Sequence, residues 1–346
     1  MTFRMRLWVV VLAGLTALMG CELEGIEVPY QPPQEKLAFS RQPVESAAGR
    51  ALADVEVTFM DSTGALLHAP GTVTLTLATA PLGASLEALE APLVHGVATF
   101  KDIALTRAGR YVFEARMGSL SVLSHTFHIT AGAPGRLSVE AEPTEETVAG
   151  ESIAPSIQVA VQDAYGNNLP NAGGEVFASL VGEGGTLSGT RVAPVRQGVA
   201  TFSSLSVDRA GQYTLAFRYG PEAVVQSRPI RITPGLAVAL AFLTQPSATL
   251  AGERITPAVA VALVDRLGNV ASHASTPITL ALGANPGGAT LGGTLTVSAV
   301  QGVATFPDLS LQPAAEGYTL EATAGALPLA RSEPFAILPA QGVLTR

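Results

Sequence analysis

Few residues in this sequence are of types that do covalent or metal chemistry. Cys21 is the only cysteine, so no disulfide within the chain is possible, and it directly follows an apolar run. The histidines are scattered along the chain: His68, His95, His125, His128 and His273. None belongs to an H-E-x-x-H motif, and no cysteine–histidine cluster supplies the ligands of a zinc site. The sequence therefore predicts no metal site, and we interpret the histidines as surface residues.

Motifs for catalysis or cofactor binding are also missing from the sequence. No G-x-S-x-G nucleophile elbow occurs. The glycine-rich segment Gly182-Glu183-Gly184-Gly185 is not followed by the Lys-Ser/Thr pair of a phosphate-binding loop. The sequence therefore predicts a protein that is not an enzyme, with no catalytic residues and no cofactor.

One recurrent motif offers side-chain oxygens to a cation. Asp61 begins Asp-Ser-Thr-Gly, Asp163 begins Asp-Ala-Tyr-Gly-Asn-Asn, and Asp265 begins Asp-Arg-Leu-Gly-Asn. Ca²⁺ takes about six to eight oxygen ligands, of which Asp163, Asn167 and Asn168 could supply some. The alternative is a hairpin turn, in which the aspartate accepts backbone hydrogen bonds and the glycine takes a positive φ. Because the motif recurs with no further carboxylates close to it, we favour the turn, and Ca²⁺ binding stays open.

Residues 1–21 have the pattern of an export signal. Arg4 and Arg6 supply a positively charged start, and the apolar run of residues 7–20 follows. A transmembrane helix needs about 20 apolar residues, so this run is short for a membrane span. Its length and flanks are those of the apolar core of a signal peptide.

The run ends in Leu18-Met19-Gly20-Cys21, which resembles the lipobox of bacterial lipoproteins. The resemblance implies that Cys21 is the lipid-attachment residue and carries diacylglycerol, with palmitate-type chains that anchor the protein to the membrane. Several acyl chains on one cysteine satisfy the two-signal rule for stable anchoring. Glu22 stands where some inner-membrane lipoproteins have aspartate, so the outer membrane or cell surface is expected. The alternatives are an ordinary secretory signal with a chance cysteine, or a buried apolar segment.

Residues 22–35 are predicted to form a tether between the anchor and the folded part. Pro29, Pro32 and Pro33 favour polyproline II and prevent a continuous helix. At about 3.1 Å per residue, such a segment reaches roughly 40 Å from the lipid surface.

The rest of the chain is organised by a pentapeptide that occurs three times. Gly-Val-Ala-Thr-Phe begins at Gly96, Gly198 and Gly302, so its copies are 102 and 104 residues apart. This period is too long for a solenoid repeat or a propeller blade and fits one β-sandwich per repeat. We assign domain 1 to residues 36–132, domain 2 to residues 133–235 and domain 3 to residues 236–340.

Alternating apolar and polar residues within each repeat predict strands with one buried face. In the first repeat, for example, Val55, Val57 and Phe59 alternate with Glu56 and Thr58. About seven such strands per repeat, separated by Gly, Pro and Asn turns, are typical of an immunoglobulin-like (Ig-like) sandwich. No stretch after residue 21 sustains a helical period, so helices should be few.

The predicted cores lack the disulfide and the tryptophan of antibody domains, since the only tryptophan is Trp8. They depend on aliphatic side chains and on six aromatic ones: Phe100, Phe202, Phe306, Tyr111, Tyr213 and Tyr318. The tyrosines are placed to form tyrosine corners, in which the hydroxyl bonds to upstream backbone.

Taken together, the repeats resemble the bacterial Ig-like repeats of invasin/intimin-type surface proteins. The shared pattern comprises L-A-F-x-x-Q-P, D-x-x-G-N, G-V-A-T-F and A-G-x-Y, and it covers about residues 36–340. Repeat one departs most, because no asparagine follows Asp61-Ser62-Thr63-Gly64. The resemblance implies an all-β chain of three tandem Ig-like domains that act as spacers or adhesive modules.

Composition narrows the class of partner. The net charge is −8 and only 14% of residues are charged, and an acidic chain without a basic tract argues against nucleic acid as a partner. We expect a lipid-anchored, non-catalytic structural or adhesive protein of the cell envelope. The alternative is a module that binds a glycan or another envelope protein, and the oligomeric state stays open.

Overall fold

The computed structural model describes residues 34–340. The predicted signal peptide, Cys21 and most of the predicted tether lie outside the described residues. Within residues 34–340 every regular element is a β-strand, which confirms the prediction of an all-β chain. No helix in that range has the length and apolar character that crossing a bilayer requires.

Domain 1 has two packed sheets. Its strands are β1 (Lys36–Arg41), β2 (Ser46–Ala47), β3 (Val55–Met60), β4 (Thr72–Thr79), β5 (Leu89–Pro92), β6 (Val97–Phe100), β7 (Gly109–Met117), β8 (Leu120–Leu123) and β9 (Phe127–Thr130). One sheet has the order β1-β3-β6, and the other has the order β2-β9-β7-β4-β5, with β8 paired to β7.

Domain 2 repeats this layout, with β15 and β16 joining the two layers into one continuous sheet. Its strands are β10 (Pro134–Ala141), β11 (Glu146–Val148), β12 (Ile157–Asp163), β13 (Glu175–Val181), β14 (Leu187–Ser188), β15 (Val192–Arg196), β16 (Val199–Phe202), β17 (Ser206–Val207), β18 (Gly211–Tyr219), β19 (Ala223–Gln226) and β20 (Ile230–Thr233).

Domain 3 has the same two layers divided into shorter pieces. Its strands are β21 (Ala239–Thr244), β22 (Thr249–Leu250), β23 (Val259–Val264), β24 (Pro277–Leu282), β25 (Thr290–Gly292), β26 (Thr296–Ser298), β27 (Val303–Phe306), β28 (Ser310–Gln312), β29 (Ala315–Tyr318), β30 (Leu320–Thr323), β31 (Ala330–Arg331) and β32 (Phe335–Leu338). The prediction of about seven strands per repeat was low, because short pairs such as β14 with β17 and β25 with β28 are added to the main strands.

Each repeat has a hydrophobic core of its own. The three clusters of buried side chains extend from Leu37 to Ile129, from Leu137 to Ile232, and from Leu240 to Ile337. Strand alternation produces them: in β7, Tyr111, Phe113 and Ala115 are buried while their neighbours are not. Phe100, Phe202 and Phe306 all lie in these cores, as predicted.

The repeated pentapeptide forms a hairpin turn and the strand after it. Gly96, Gly198 and Gly302 have φ of 81°, 80° and 80°, and the residue before each glycine also has positive φ, at 50–51°. Two successive residues with positive φ are characteristic of the type I′ turn, which matches the twist of paired strands. The turn explains why the glycine recurs.

Candidate functional site at the domain joints

The Asp-x-x-Gly-Asn motif of domain 2 forms a tight turn at the end of β12. Asp163 Oδ1 accepts hydrogen bonds from the backbone N–H groups of Tyr165 and Asn167, both at 2.9 Å. Gly166 N–H donates to the Asp163 carbonyl at 3.1 Å, and Gly166 has a φ of 82°. The motif is thus the hairpin turn that the sequence predicted, with glycine at its left-handed position.

The second carboxylate oxygen of Asp163 holds the segment that leads in from domain 1. Asp163 Oδ2 accepts hydrogen bonds from Gly132 N–H and from Asn167 Nδ2, both at 2.8 Å. The side chain is nearly fully buried, at 1% exposure, and a buried carboxylate is costly unless it is hydrogen-bonded. Four N–H donors compensate for the burial, and together they hold the linker against the turn.

Asn167 connects the turn to domain 1. Its Nδ2 donates to the Thr106 carbonyl at 2.7 Å, and its Oδ1 accepts a hydrogen bond from Ala108 N–H at 2.9 Å. Both atoms of the amide therefore bond to the loop before β7, and Asn167 is 7% exposed. We call this contact joint 1.

Domains 2 and 3 meet through the same arrangement, which we call joint 2. Asp265 Oδ1 accepts hydrogen bonds from Leu267 and Asn269 N–H at 2.8 and 2.9 Å, and Oδ2 accepts from Gly235 N–H at 2.9 Å. Asn269 Nδ2 donates to the Asp208 carbonyl at 2.9 Å, and Asn269 Oδ1 accepts from Ala210 N–H, also at 2.9 Å. Every bond of joint 1 named above thus has a counterpart in joint 2.

A glycine of the preceding domain receives the tip of each turn. A Cβ built on Gly49 in domain 1 would collide with the ring of Tyr165, and one built on Gly150 in domain 2 would lie 2.9 Å from Leu267 Cδ1. These glycines also have φ of 76° and 79°. Glycine is therefore favoured at both places twice over, by backbone conformation and by close approach.

The corresponding turn of domain 1 has the turn geometry without the joint chemistry. Asp61 Oδ1 accepts hydrogen bonds from Thr63 N–H at 2.9 Å and from Ala65 N–H at 3.0 Å. Ala65 stands where the other two repeats have Asn167 and Asn269. Within residues 34–340, the hydrogen bonds of this turn stay inside domain 1. The asparagine is therefore found where a domain precedes the turn.

The joints also set the ionisation of their carboxylates. Burial raises the pKa of Asp163, but hydrogen bonds from the Asn167 side chain and the Gly132 N–H lower it by more, so it lies below its ordinary value. Burial likewise raises the pKa of Asp265, and bonds from the Gly235 N–H and the Asn269 side chain overcome it. Both side chains are therefore charged acceptors at neutral pH, which strengthens their hydrogen bonds.

The oxygens considered for Ca²⁺ already have protein partners. Asp163 and Asn167 are bonded as described, and Asn168 Oδ1 accepts a hydrogen bond from Gln162 Nε2 at 2.8 Å. A cation would have to displace these bonds. Residues 34–340 contain no group of three or more His, Cys, Asp or Glu side chains arranged to hold a metal ion.

Each joint borders an open cleft. The cleft beside joint 2 has a volume of about 740 Å³ and is lined by Arg209, Arg231 and Asn269 among others. The cleft beside joint 1 has a volume of about 440 Å³ and includes Arg107 and Asn167. The two clefts thus recur at corresponding places.

Sequence reasoning missed the role of the asparagine in the joints. Cys21, the one site residue predicted from the sequence, lies outside the described residues. The sequence does contain a signal for the joint. The asparagine is present in repeats two and three, which each follow an assigned domain, and is replaced by Ala65 in repeat one, which does not. From the sequence alone, the missing asparagine indicates only that repeat one departs most from the shared pattern.

Comparisons with known proteins give structural neighbours only. No protein-family model matches the chain, and none of the curated proteins matches it. Invasin, a bacterial integrin-binding protein, matches with 17% identity and a TM-score of 0.31, over 88% of this chain and 60% of the invasin chain. The chain therefore spans less than two thirds of that structure.

Two further neighbours are of the same kind. InvD of Yersinia pseudotuberculosis matches with 16% identity and a TM-score of 0.34, over 87% of this chain and 97% of InvD. The D0–D1 domains of intimin match with 14% identity and a TM-score of 0.22, over 57% of this chain and 97% of theirs. Parts of two glycosidases also match, over little more than half of this chain. Invasin, InvD and intimin are thus neighbours of this chain, as its repeats predicted, at TM-scores that carry no argument about function.

Proposed function

We propose that this chain is an exported, lipid-anchored, non-catalytic protein of the bacterial cell envelope, whose three Ig-like domains form a spacer. The observation that carries the proposal is the repetition of one joint at both domain boundaries. Domains that reorient independently do not require two buried Asp–Asn pairs with matching partners. A spacer of defined geometry requires such contacts, because the angle between successive domains sets the distance that the spacer covers.

The positions of the buried charged side chains support a mechanical role. The buried charged residues of the described part are Asp163 and Asp265, and both act in the joints. Active sites typically contain perturbed ionisable groups in a cleft, poised toward a substrate. Here the two perturbed buried carboxylates are turned inward onto backbone N–H groups.

Small-angle X-ray scattering of the chain tests the spacer. At about 40 Å per sandwich, three domains in a row extend to roughly 120 Å. A pair-distance distribution with a long tail toward that value is expected at neutral pH. A compact distribution, with the domains folded back on one another, would contradict the proposal.

Anchoring through Cys21 is tested separately in bacteria grown with an alkyne-bearing fatty acid. The wild-type chain should carry the label and sediment with membranes, whereas Cys21→Ser should do neither. Met19→Ala is the matched control, because it also alters the lipobox but leaves the thiol, and it should stay labelled. Label that survives in Cys21→Ser would rule out this attachment site.

A second function, contact with an envelope glycan, is favoured by one surface feature of domain 2. Phe177 is 42% exposed on the outer face of β13, and the Arg218 guanidinium lies over its ring at 5.5 Å. Its other cross-strand neighbour is Val192, which is also exposed. By strand register, domains 1 and 3 have Thr74 and Thr279 at this place.

Aromatic residues and arginine are enriched in contact surfaces relative to the rest of a protein surface. Phe177→Thr restores the residue type of the other two repeats and should leave the fold intact. Binding on a glycan array that disappears with Phe177→Thr supports the second function. Binding that is the same for both proteins, or missing from the wild type, contradicts it.

A further inference from the structure

Two histidines distant in sequence lie close together in domain 1. The ring centroids of His68 and His95 are 6.1 Å apart, and the ring planes are inclined at 76°. Both side chains are exposed. His68 lies in the segment after the Asp61 turn, and His95 lies in the hairpin turn before β6.

The backbone that carries both histidines is held by one strand, β3. Phe59 of β3 donates from its N–H to the Gly96 carbonyl and accepts from Leu67 N–H, both at 2.9 Å. Gly96 follows His95, and Leu67 precedes His68. The two Cα positions are therefore fixed relative to each other by a single residue between them.

The hairpin that presents His95 is also well defined. Val94 and Val97 exchange backbone hydrogen bonds of 2.9 and 3.1 Å across the turn. His95 itself has a φ of 51°, a left-handed conformation that is uncommon outside glycine. The backbone on both sides of His95 is thus held by hydrogen bonds.

The other repeats have the same backbone without the histidines. By their hydrogen bonds to β12 and β23, Pro170 and Ser272 correspond to His68, and Gln197 and Gln301 correspond to His95. The turns at Gln197 and Gln301 have φ of 51° and 50°, as at His95. The pairing of two imidazoles is therefore a property of domain 1 and is not required by the fold.

Imidazole nitrogen is a preferred ligand of Zn²⁺, Cu²⁺ and Ni²⁺. With metal–nitrogen distances of about 2.0–2.1 Å, two imidazoles that share one ion have ring centroids roughly 5–6 Å apart. The observed centroid separation of 6.1 Å is close to that range. We propose that His68 and His95 form a two-histidine site for a divalent transition-metal ion, with its remaining coordination positions open to water or to ligands of another molecule.

The proposal revises the expectation of no metal site, which rested on the lack of local ligand spacing. It is independent of the spacer function, since neither histidine takes part in a joint. The order of affinity should be Cu²⁺ above Ni²⁺ and Zn²⁺. Binding should weaken in acid, because the ligand must be a neutral imidazole.

The test is a titration of the purified, untagged chain with Cu²⁺, Ni²⁺ and Zn²⁺ by calorimetry, with Cys21→Ser in every variant so that no thiol contributes. His68→Gln and His95→Gln should each lower Cu²⁺ affinity by about tenfold or more, and the double variant, which has neither imidazole, should bind more weakly than either single one. His273→Gln is the matched control. His273 is exposed and next to Ser272, in the loop of domain 3 that corresponds to the His68 loop.

Electron paramagnetic resonance of the Cu²⁺ complex gives a second readout. Coupling to two imidazole nitrogens is expected in the wild type, and coupling to one in either single variant. An affinity that His68→Gln or His95→Gln leaves unchanged, or the lack of any binding, would overturn the proposal.

Discussion

The side chain of Asn167 in domain 2 donates a hydrogen bond to the carbonyl oxygen of Thr106 in domain 1 at 2.7 Å. Its Oδ1 accepts the Ala108 N–H of the same loop at 2.9 Å. Because both atoms of one planar amide bond to the neighbouring domain, they restrain rotation as well as separation. Asp163 Oδ2 accepts a further hydrogen bond from Nδ2 of Asn167 and so fixes the orientation of the amide. The joint therefore extends without a break from the linker through the turn to the neighbouring domain.

Asn167→Ala should loosen joint 1 without unfolding domain 2. The change removes two inter-domain hydrogen bonds, each worth about 0.5–1.5 kcal/mol net, so docking should weaken by roughly 1–3 kcal/mol. The measurement is single-molecule energy transfer between dyes at Leu123 and Val224, which are exposed on domains 1 and 2. The distribution of transfer efficiency should broaden.

Asn168→Ala is the matched control for that experiment. Asn168 is the next residue, and its Oδ1 bonds to Gln162 within domain 2. It should leave the transfer distribution as in the wild type. Equal broadening in both variants would mean that Asn167 does not hold the joint.

Gly49→Ala and Gly150→Ala should each have two effects. A residue with a Cβ in left-handed backbone costs about 1–2 kcal/mol, so the domain that carries the change should lose that much stability. The added methyl group also meets Tyr165 or Leu267 of the next domain, so the joint should loosen as well. Hydrogen exchange measures the first effect, and energy transfer measures the second.

Gly252→Ala separates these two effects. Gly252 has a φ of 83°, but its added Cβ would meet the Gln312 side chain of its own domain. It should therefore destabilise domain 3 and leave joint 2 unchanged. A joint 2 that loosens equally in Gly252→Ala would show that backbone strain, and not contact across the joint, is responsible.

The fold could be predicted from the sequence because its signals are local. The alternation of Tyr111, Phe113 and Ala115 and the turn at Gly96 each depend on neighbours along the chain. The joint could not be predicted from the sequence, because Asn167 and Ala108 come into contact only when two folded domains pack against each other. A polar residue after a turn glycine is common in hairpins generally. In this sequence, only Ala65, in place of asparagine, distinguishes the turn of repeat one from the two turns that form joints. The proximity of His68 and His95 could not be predicted for the same reason.

The joints should weaken in acid. The pKa values of Asp163 and Asp265 are lower in the folded chain than the ordinary value of 3.8. Protonation therefore favours the undocked or unfolded chain, and the stability these groups supply is present above about pH 4 and lost as pH falls through their folded pKa values. Energy transfer across joint 1, measured from pH 7 down to pH 2, should broaden only below about pH 4.

Asp163→Asn is the variant that checks the assignment of this acid transition. An amide at this place has one oxygen for four N–H donors, so joint 1 should already be loose at pH 7. The difference from the wild type should shrink as pH falls through the folded pKa of Asp163, where the wild-type carboxylate is itself neutralised. An Asp163→Asn joint that is as tight as the wild-type joint at pH 7 would exclude the carboxylate as its support.

The tyrosines predicted as corners should differ in the cost of losing their hydroxyl groups. Tyr111 donates to the Arg107 carbonyl at 2.8 Å and Tyr318 to the Pro313 carbonyl at 2.7 Å, both upstream as predicted. Tyr213 instead reaches the Glu183 carbonyl of a different loop, at 3.4 Å. Phenylalanine at position 111 or 318 should cost the respective domain about 0.5–1.5 kcal/mol, and Tyr213→Phe should cost less because its bond is long. Hydrogen exchange of core amides resolves each domain separately. Equal losses at all three positions would mean that the length of the hydroxyl hydrogen bond does not decide how much it contributes.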